Sequence, residues 1–161
     1  MRLGHEELNG RGGHEAGLLL LERLYRAETG EDLPQILRTA QGKPYFPENP
    51  WHFSISHTKN HVFCVLSRQN VGIDAENMDR PVSEKLAEKV LSPKELEKLR
   101  ACPNKNAAFL RLWVLKEAYA KLTGRGLGDY LFRTDFDPSD PRIQIISGCY
   151  VAVLTEDTHA F

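Results

Sequence analysis

The stretch from Phe109 to Gly124 constrains the fold most, because it has the periodicity of one long helix with two different faces. At about 100° per residue, one apolar stripe forms along the helix. It consists of Leu112, Leu115, Tyr119 and Leu122. A second stripe, nearly opposite and flanked by Lys116 and Lys121, consists of Trp113, Glu117, Ala120 and Gly124. A surface helix would carry only solvated charge on that side. A tryptophan and small residues beside a carboxylate indicate that the second face is packed as well. The alternative is a core helix in which Glu117 pairs with Lys121 one turn later.

Composition excludes several classes of protein. A length of 161 residues fits one domain, or two small halves around a shared core. The content of 41% hydrophobic and 27% charged residues is ordinary for a globular protein. A formal net charge of −1 argues against nucleic-acid binding, which usually requires a basic surface. No apolar run reaches the roughly 18 residues of a membrane span, so no membrane contact is expected.

Cysteine usage and the start of the chain indicate a cytoplasmic protein. The first residues, 1–7, lack the apolar region of a signal peptide. Cys64, Cys102 and Cys149 are odd in number and widely separated. Neither a disulfide framework nor a thiolate zinc site is therefore expected. Reduced cysteines in the cytoplasm are the simplest explanation.

The pattern along the chain predicts a mixture of helices and antiparallel strands. Residues 1–13 are polar and glycine-rich and are predicted to fold only weakly on their own. The segment 33–40 is predicted as a short strand or turn. Helices are predicted near 16–30, 83–90 and 92–100, before the long helix. Strands are predicted at Trp51–His57, His61–Ser67, Val71–Glu76, Tyr130–Phe136, Arg142–Ser147 and Cys149–Thr155. The turn at 68–70 predicts that His61–Ser67 and Val71–Glu76 form a hairpin.

A faint internal repeat predicts two similar halves. Five residues of the first helix reappear at one constant spacing in the long helix. They are Leu18, Leu21, Tyr25, Thr29 and Gly30, repeated as Leu112, Leu115, Tyr119, Thr123 and Gly124. Convergent amphipathic patterning is the alternative. A duplication predicts one α+β domain, 1–161, with two pseudo-symmetric helix-plus-antiparallel-sheet halves, approximately 1–70 and 71–161. The halves would pack around a cleft, where small-molecule sites usually form.

Two carboxylates on the strand Val71–Glu76 are the strongest sign of chemistry. Alternate side chains of a strand face the same way, so Asp74 and Glu76 project together, opposite the apolar residues. Adjacent carboxylates repel each other unless a cation joins them. Mg²⁺ fits this arrangement, because it binds one or two carboxylates and completes its shell with water and phosphate oxygens. A solvated strand end remains the alternative.

Other polar residues fit a phosphate site less specifically. His57 ends an alternating strand, where it could donate to a phosphate or cap a turn. Lys43 lies on a stiff loop between Gly42 and Pro44, where a lysine that only aids solubility is also common. The glycine-rich run 124–128 is either a weak phosphate loop or a helix end. Zinc at His52, His57, His61 and Cys64 would need helical spacing, which the strand pattern disfavours.

Taken together and in order, these motifs resemble the 4′-phosphopantetheinyl transferases, specifically the surfactin-synthetase-activating type with two halves in one chain. The matching segments are Gly42-Lys43-Pro44, Phe53–His57, Val71–Glu76, Leu91–Glu95, Trp113–Ala118 through Lys121, and Gly124–Leu127. The resemblance implies a pseudo-symmetric α+β fold with coenzyme A bound between the halves. It also implies transfer of the 4′-phosphopantetheine arm to a serine of an apo acyl or peptidyl carrier protein, releasing adenosine 3′,5′-bisphosphate.

The same resemblance assigns roles to residues by motif. It implies that Asp74, Glu76 and Glu117 bind Mg²⁺, that Glu117 is also the base for the incoming serine, and that Lys121 stabilises the transferring phosphoryl oxygens. The residues that would contact coenzyme A are Lys43, Pro44, Ser56, His57, Lys116 and Lys121, with Arg11 nearest to the family's basic residue for the 3′-phosphate.

The chain departs from the family at its start. Family members usually carry a longer N-terminal region with an additional strand and helix, which this sequence does not match. A second hypothesis is therefore a degenerate homologue that binds coenzyme A or a carrier protein without catalysis. A third is an unrelated Mg²⁺-dependent diphosphate hydrolase. Two halves in one chain would complete the cleft, so a monomer is expected.

Overall fold

Two antiparallel three-stranded sheets form the framework of the molecule. The computed structural model describes residues 1–126, 128 and 134–159. The first sheet contains β1 (Arg2–Glu7), β4 (His52–His57) and β5 (His61–Ser67), in the order β1-β5-β4. The second contains β6 (Val71–Asn77), β7 (Ile143–Ile146) and β8 (Cys149–Thr155), in the order β6-β8-β7. A small ribbon pairs β2 (Leu37–Arg38) with β3 (Pro44–Tyr45).

Helices cover these sheets, so the α+β class predicted from the sequence is confirmed. They are α1 (Gly13–Thr29), α2 (Glu84–Val90), α3 (Pro93–Ala101) and α4 (Lys105–Thr123), with a final 3₁₀ turn at Glu156–His159. Helix α3 begins next to the predicted position, where Ser92 and Glu95 form a reciprocal capping box and Pro93 takes the first helical position. No helix in the described part of the chain is long and apolar enough to cross a membrane.

The two sheets share one topology. In each, the first strand of the sheet lies at an edge, the last lies in the centre, and the middle one lies at the other edge. A long helix, α1 or α4, comes between the first and second strands of each set. Both helices end at a glycine in the left-handed region, Gly30 with φ of 75° and Gly124 with φ of 71°. Only a residue without a Cβ adopts this cap conformation without strain.

Three apolar clusters account for the packing of these layers. One lies between α1 and the first sheet, one lies beneath α4 and α3, and the third joins the two sheets. β5 serves two of them, because side chains alternate along a strand. Val62, Cys64 and Leu66 belong to the α1 cluster, whereas Phe63 and Val65 belong to the intersheet cluster. Both faces of β5 are therefore buried.

Two close approaches fix the position of β6 in the fold. Ser54 and Ser56 of β4 accept hydrogen bonds from the backbone N–H groups of Ile73 and Ala75, at 3.1 and 3.2 Å. These hydroxyls satisfy donors at the edge of β6 that, among the described residues, no neighbouring strand pairs with. At Gly72, a Cβ would collide with the Ala118 carbonyl of α4. Glycine therefore lets the α4 backbone lie directly on β6.

Three sequence predictions need comment. Residues 1–13 are not simply irregular: Arg2–Glu7 form β1, which is held by a six-residue ladder to β5 that local sequence does not encode. The predicted hairpin of His61–Ser67 with Val71–Glu76 is wrong. β5 pairs with β4 and β1, whereas β6 starts the second sheet. Most of the predicted strand Tyr130–Phe136, and Leu127 of the glycine-rich run, lie outside the described residues.

Candidate active site

A cleft of about 670 Å³ lies where the two halves meet. Its first-half wall comes from the start of α1, the β2–β3 ribbon and β4. The residues of this wall are His14, Leu18, Ile36, Arg38, Gln41, Gly42, Lys43, Pro44, Phe53, Ser54, Ile55, Ser56 and His57. The second-half wall contributes Asp74, Ala75, Glu76, Arg80, Trp113, Glu117, Ala120, Lys121, Gly124 and Gly126. All the carboxylates among these residues thus come from the second half, whereas basic groups come from both.

The second stripe of α4 faces this cleft. Trp113, Glu117, Ala120 and Gly124 all line it, together with Lys121. The apolar stripe on the other side is buried in the core beneath α4. The contact at Gly72 explains how the chemistry is brought together. The α4 backbone at Ala118 rests on Gly72 of β6. Lys121, nearly one turn further along α4, therefore lies beside Asp74, which is two residues further along β6.

Asp74 is buried, with 7% of its surface exposed, and both of its polar contacts are short. The Lys121 ammonium donates to Asp74 Oδ1 at 2.7 Å. The Ser56 hydroxyl donates to the same oxygen at 2.8 Å while it accepts the Ala75 N–H. Ser56 therefore connects the Asp74 carboxylate of β6 to β4 in the other sheet. Lys121 pairs with Asp74 in this structure rather than with Glu117, which the plain helical pair would have required.

Glu76 is paired with a cation that follows it in the chain. Arg80 forms an ion pair with the Glu76 carboxylate. The guanidinium also lies over the Trp113 ring, with its central carbon 5.9 Å from the ring centroid, which is a cation–π distance. The arginine backbone is held as well, because the Asn106 amide donates to the Arg80 carbonyl at 3.0 Å.

Glu117 has a strongly altered acidity. Its pKa is raised from the ordinary 4.5 to about 7, mainly by burial and then by the negative charge of Asp74. Lys121 and Arg80 act in the opposite direction, and Glu76 adds a small upward contribution. Desolvation and neighbouring like charge are the usual causes of such shifts, and shifted groups cluster at functional sites. Glu117 is thus a carboxyl group with a pKa near neutral pH.

The three carboxylates suit a hard divalent cation in their chemistry but are not assembled around one. Oxygen donors of this kind are those that Mg²⁺ prefers. Within the described part of the chain, however, no group of three His, Cys, Asp or Glu side chains is already arranged to hold a metal ion. Two cations account for this, because Lys121 engages Asp74 and Arg80 engages Glu76. The pKa of Glu117 is nonetheless raised, first by burial and then by the charge of Asp74, and a cation bound beside it would favour the carboxylate form.

The first-half wall offers groups that suit phosphate. His57 lies against the start of α1, where a Cβ on Gly13 would come within 2.5 Å of the imidazole ring. Gly12, the N-cap of α1, has no side-chain cap, so the amide groups of the first turn are not satisfied by a cap side chain. Helix N-termini attract anions, and His14 and His57 line the cleft at this point. Ser56 lies one residue before His57 on β4.

Lys43 and Pro44 lie on the wall formed by the β2–β3 ribbon. The Lys43 ammonium is already engaged across the halves. It donates to Asn70 Oδ1 at 2.5 Å and to the Leu122 carbonyl of α4 at 2.6 Å. Burial lowers its pKa, and Glu156 partly offsets this. Lys43 thus joins the ribbon to the end of α4 in the empty cleft.

The structure does not bring Lys116 or Arg11 to the cleft. Lys116 has no exposed side-chain surface and forms a 2.8 Å ion pair with Glu95, which is equally buried. It belongs to the packing between α4 and α3, so the sequence prediction of a phosphate contact needs correction. Arg11 donates to the carbonyls of Leu8 and Glu7, at 3.1 and 3.0 Å. Its guanidinium is thereby used to close the turn between β1 and α1.

Several cleft residues were not identified from the sequence. Arg80 lies four positions after Glu76, in a segment whose polar sequence is typical of a solvated turn. The sequence therefore did not indicate that Arg80 pairs with Glu76. Arg38 and Gln41 line the cleft from the β2–β3 ribbon, where the sequence predicted only a short strand or turn and a following loop. His14 lies just before the helix predicted near 16–30, although α1 in the structure already begins at Gly13. Only its position beside His57, which is far away in the chain, distinguishes it.

The structure is that of an α+β protein with a cleft between two sheets of like topology. The family model of the 4′-phosphopantetheinyl transferase superfamily matches residues 70–158, which is more than half of the chain. The protein therefore belongs to the 4′-phosphopantetheinyl transferase superfamily, as the motifs predicted.

Individual relatives agree with this family. Over 97 residues the chain is 39% identical to 4′-phosphopantetheinyl transferase HetI of Nostoc sp., covering 55% of this chain and 40% of the relative. It is 38% identical over 89 residues to a 4′-phosphopantetheinyl transferase of Bacillus subtilis, covering 53% and 39%. It is 30% identical over 148 residues to the L-aminoadipate-semialdehyde dehydrogenase-phosphopantetheinyl transferase of Xenopus laevis, covering 81% and 49%. The chain thus spans less than half the length of these curated relatives.

Proposed function

We propose that this protein transfers the 4′-phosphopantetheine arm of coenzyme A to a serine of an apo carrier protein, releasing adenosine 3′,5′-bisphosphate. The main support is the convergence of Asp74, Glu76, Glu117 and Lys121 on one interhalf cleft, facing His57 and the start of α1. A diphosphate needs cationic partners, and carboxylates beside it need a metal ion to be tolerated. Membership of the superfamily supports the same reaction.

We assign the metal role to the three carboxylates of the second half. Asp74, Glu76 and Glu117 would hold Mg²⁺ through oxygen donors, after Lys121 and Arg80 release the first two. When bound, the ion would supply charge neutralisation for the diphosphate. Ser56 keeps Asp74 in position throughout, because its hydroxyl bond is independent of Lys121.

Proton and phosphate handling fall to residues of α4. We propose that Glu117, in its carboxylate form, also accepts the proton of the incoming serine, directly or through water. Lys121, one turn further along the helix, would turn from Asp74 to the phosphoryl oxygens. His57, Ser56, Lys43 and Pro44 would contact the nucleotide and its phosphates.

We further propose a cytoplasmic monomer whose partners are coenzyme A and an acyl or peptidyl carrier protein, with no nucleic acid or membrane involved. One chain supplies both walls of the cleft. The formal net charge of −1 gives no general attraction to nucleic acid.

Intact-mass measurement of an apo carrier protein tests this function. Incubation with coenzyme A, Mg²⁺ and the protein should add the phosphopantetheine mass to the carrier serine, and EDTA should prevent it. Tight coenzyme A binding without any mass gain would instead support a binding protein without catalysis. Breakdown of coenzyme A in the absence of a carrier would support a diphosphate hydrolase. Either result contradicts the proposed transfer.

A further inference from the structure

Arg80 is placed in the cleft by contacts that no assigned role explains. It lines the cavity together with all three carboxylates and Lys121. Its guanidinium pairs with Glu76 and lies over Trp113, and its positive charge also lowers the pKa of Glu117. The side chain is 38% exposed, so the guanidinium remains accessible from the cleft.

The backbone around Arg80 is held from α4. Asn106 donates to the Arg80 carbonyl and accepts from the Val82 N–H, both at 3.0 Å. The Arg80 N–H donates to the Asn77 carbonyl at 3.2 Å. One side-chain amide of α4 thus clamps the turn after β6 on two sides. The turn keeps its place, and only the long side chain of Arg80 is left to move.

The ion pair with Glu76 conflicts with the role proposed for that carboxylate. If Glu76 binds a divalent ion, its oxygens face a second cation, and the guanidinium can no longer neutralise them without repelling the ion. A partly exposed ion pair is also worth little, so giving it up costs little. A guanidinium displaced from Glu76 can then bind the oxygens of a nearby diphosphate, because arginine binds phosphate in a planar, bidentate geometry.

We propose that Arg80 is a phosphate-binding residue of the cleft, which holds Glu76 as a counterion only while the cleft is empty. On arrival of the metal ion and the substrate, the guanidinium exchanges the carboxylate for a phosphate oxygen. The inference rests on the proposed function, because it requires a phosphate-bearing substrate. It predicts that removing the Arg80 charge strengthens binding of the metal ion alone and weakens binding of coenzyme A.

The test compares Arg80→Gln with the wild-type protein in two binding measurements. Mn²⁺ alone, followed by EPR with Mg²⁺ as competitor, should bind roughly two- to fivefold more tightly to the variant, because a competing cation has been removed. Coenzyme A with saturating Mg²⁺ and no carrier, followed by calorimetry, should bind at least about tenfold more weakly, because a charge-assisted contact has been lost. Arg80→Lys should lie between the two proteins in both measurements.

Arg38→Gln is the matched control for the metal measurement. It removes the same charge from the opposite wall, where Arg38 donates to the Gly42 carbonyl at 2.8 Å rather than to a carboxylate. Its Mn²⁺ affinity should stay within about twofold of wild type, since screened charge acts weakly at a distance. Unfolding temperatures of all variants establish that each protein is folded.

Three results would overturn the inference. Weaker Mn²⁺ binding by Arg80→Gln would mean that Arg80 holds Glu76 in place for the metal. Unchanged coenzyme A affinity in that variant would remove the phosphate contact. Failure of the wild-type protein itself to bind coenzyme A would overturn the proposed function and the contact with it. In the first two cases wild-type binding persists, so the failures are distinguishable.

Discussion

Glu117 lies between influences of opposite sign. Burial and the negative charge of Asp74 favour its protonated form, whereas Lys121 and Arg80 favour the carboxylate. The first pair prevails and brings the pKa to about 7, so both forms of the group are present near neutral pH. A carboxyl group in this state can lose its proton to solvent when a divalent cation binds to it, as the proposed metal role requires.

The first prediction concerns the pH dependence of metal binding. A divalent ion requires Glu117 as the carboxylate, so it must displace the proton that is bound below the pKa. Affinity for Mg²⁺ should therefore rise by up to about tenfold per pH unit below pH 7 and level off above it. Calorimetry from about pH 5.5 to 8.5, in two buffers of different ionisation heat, would measure both affinity and proton release.

Glu117→Gln is the control for that measurement, because glutamine has no proton to lose. Its weaker Mg²⁺ binding should lack the rise below pH 7. A wild-type affinity that does not change across this range would contradict the assignment of Glu117 as the titrating ligand.

At the scale of single residues, the sequence predicted which side chains share the cleft better than it predicted their partners. Asp74, Glu76, Glu117 and Lys121 could be identified from spacing, because period-2 and period-3.6 patterns are local. That Lys121 pairs with Asp74, and that Arg80 pairs with Glu76, depends on side-chain positions in the assembled cleft. Lys116 was misplaced for the same reason, since its partner Glu95 comes from another helix.

α4 is the element that connects stability to chemistry. Its apolar stripe packs in the core and its second stripe lines the cleft, while Gly72 allows its backbone to rest on β6. Lys116 lies between the two stripes, and its buried ammonium forms an ion pair with Glu95. Glu95 is fully used, because it also accepts from the backbone N–H groups of Ser92 and Phe136 at 2.8 and 2.9 Å.

The second prediction follows from this buried pair. Lys116→Met leaves Glu95 as an unpaired buried charge, so it should reduce the free energy of unfolding by about 3–5 kcal/mol. Urea denaturation would measure the loss. Lys85→Met, an exposed lysine on α2, is the matched control and should change stability by no more than about 0.5 kcal/mol.

Coenzyme A binding by the folded Lys116→Met protein separates a structural role from a ligand role. We expect an affinity equal to that of wild type under conditions where the variant is folded. A weaker coenzyme A affinity of the folded variant would indicate that Lys116 contacts a phosphate and would contradict its assignment to the core.

At the scale of the whole molecule, two sheets of like topology place one cleft at their junction. β1, β4 and β5 precede residue 71, whereas β6, β7 and β8 follow it. We propose the division 1–70 and 71–161 as the two halves of one domain. Long-range strand pairing was the part that local sequence could not supply. β1 is ordered by β5, and β6 pairs with β8 rather than with its neighbour in sequence.

The third prediction concerns oligomeric state. Because both walls of the cleft come from one chain, the proposed site needs no residue from a second copy, and a monomer is expected. Sedimentation velocity over a wide concentration range should give one species of the mass of one chain, 18.3 kDa. A stable dimer, together with specific activity that falls on dilution, would contradict this expectation.

The most direct test of the central claim is carrier loading by Glu117→Gln, measured by intact mass in comparison with Glu97→Gln, an exposed glutamate of α3. We predict that Glu117→Gln loses transfer by several orders of magnitude while its unfolding temperature is maintained, and that Glu97→Gln loads the carrier as fast as wild type. Near-wild-type loading by Glu117→Gln would contradict the account, because the cleft-facing stripe of α4 would then not perform the chemistry.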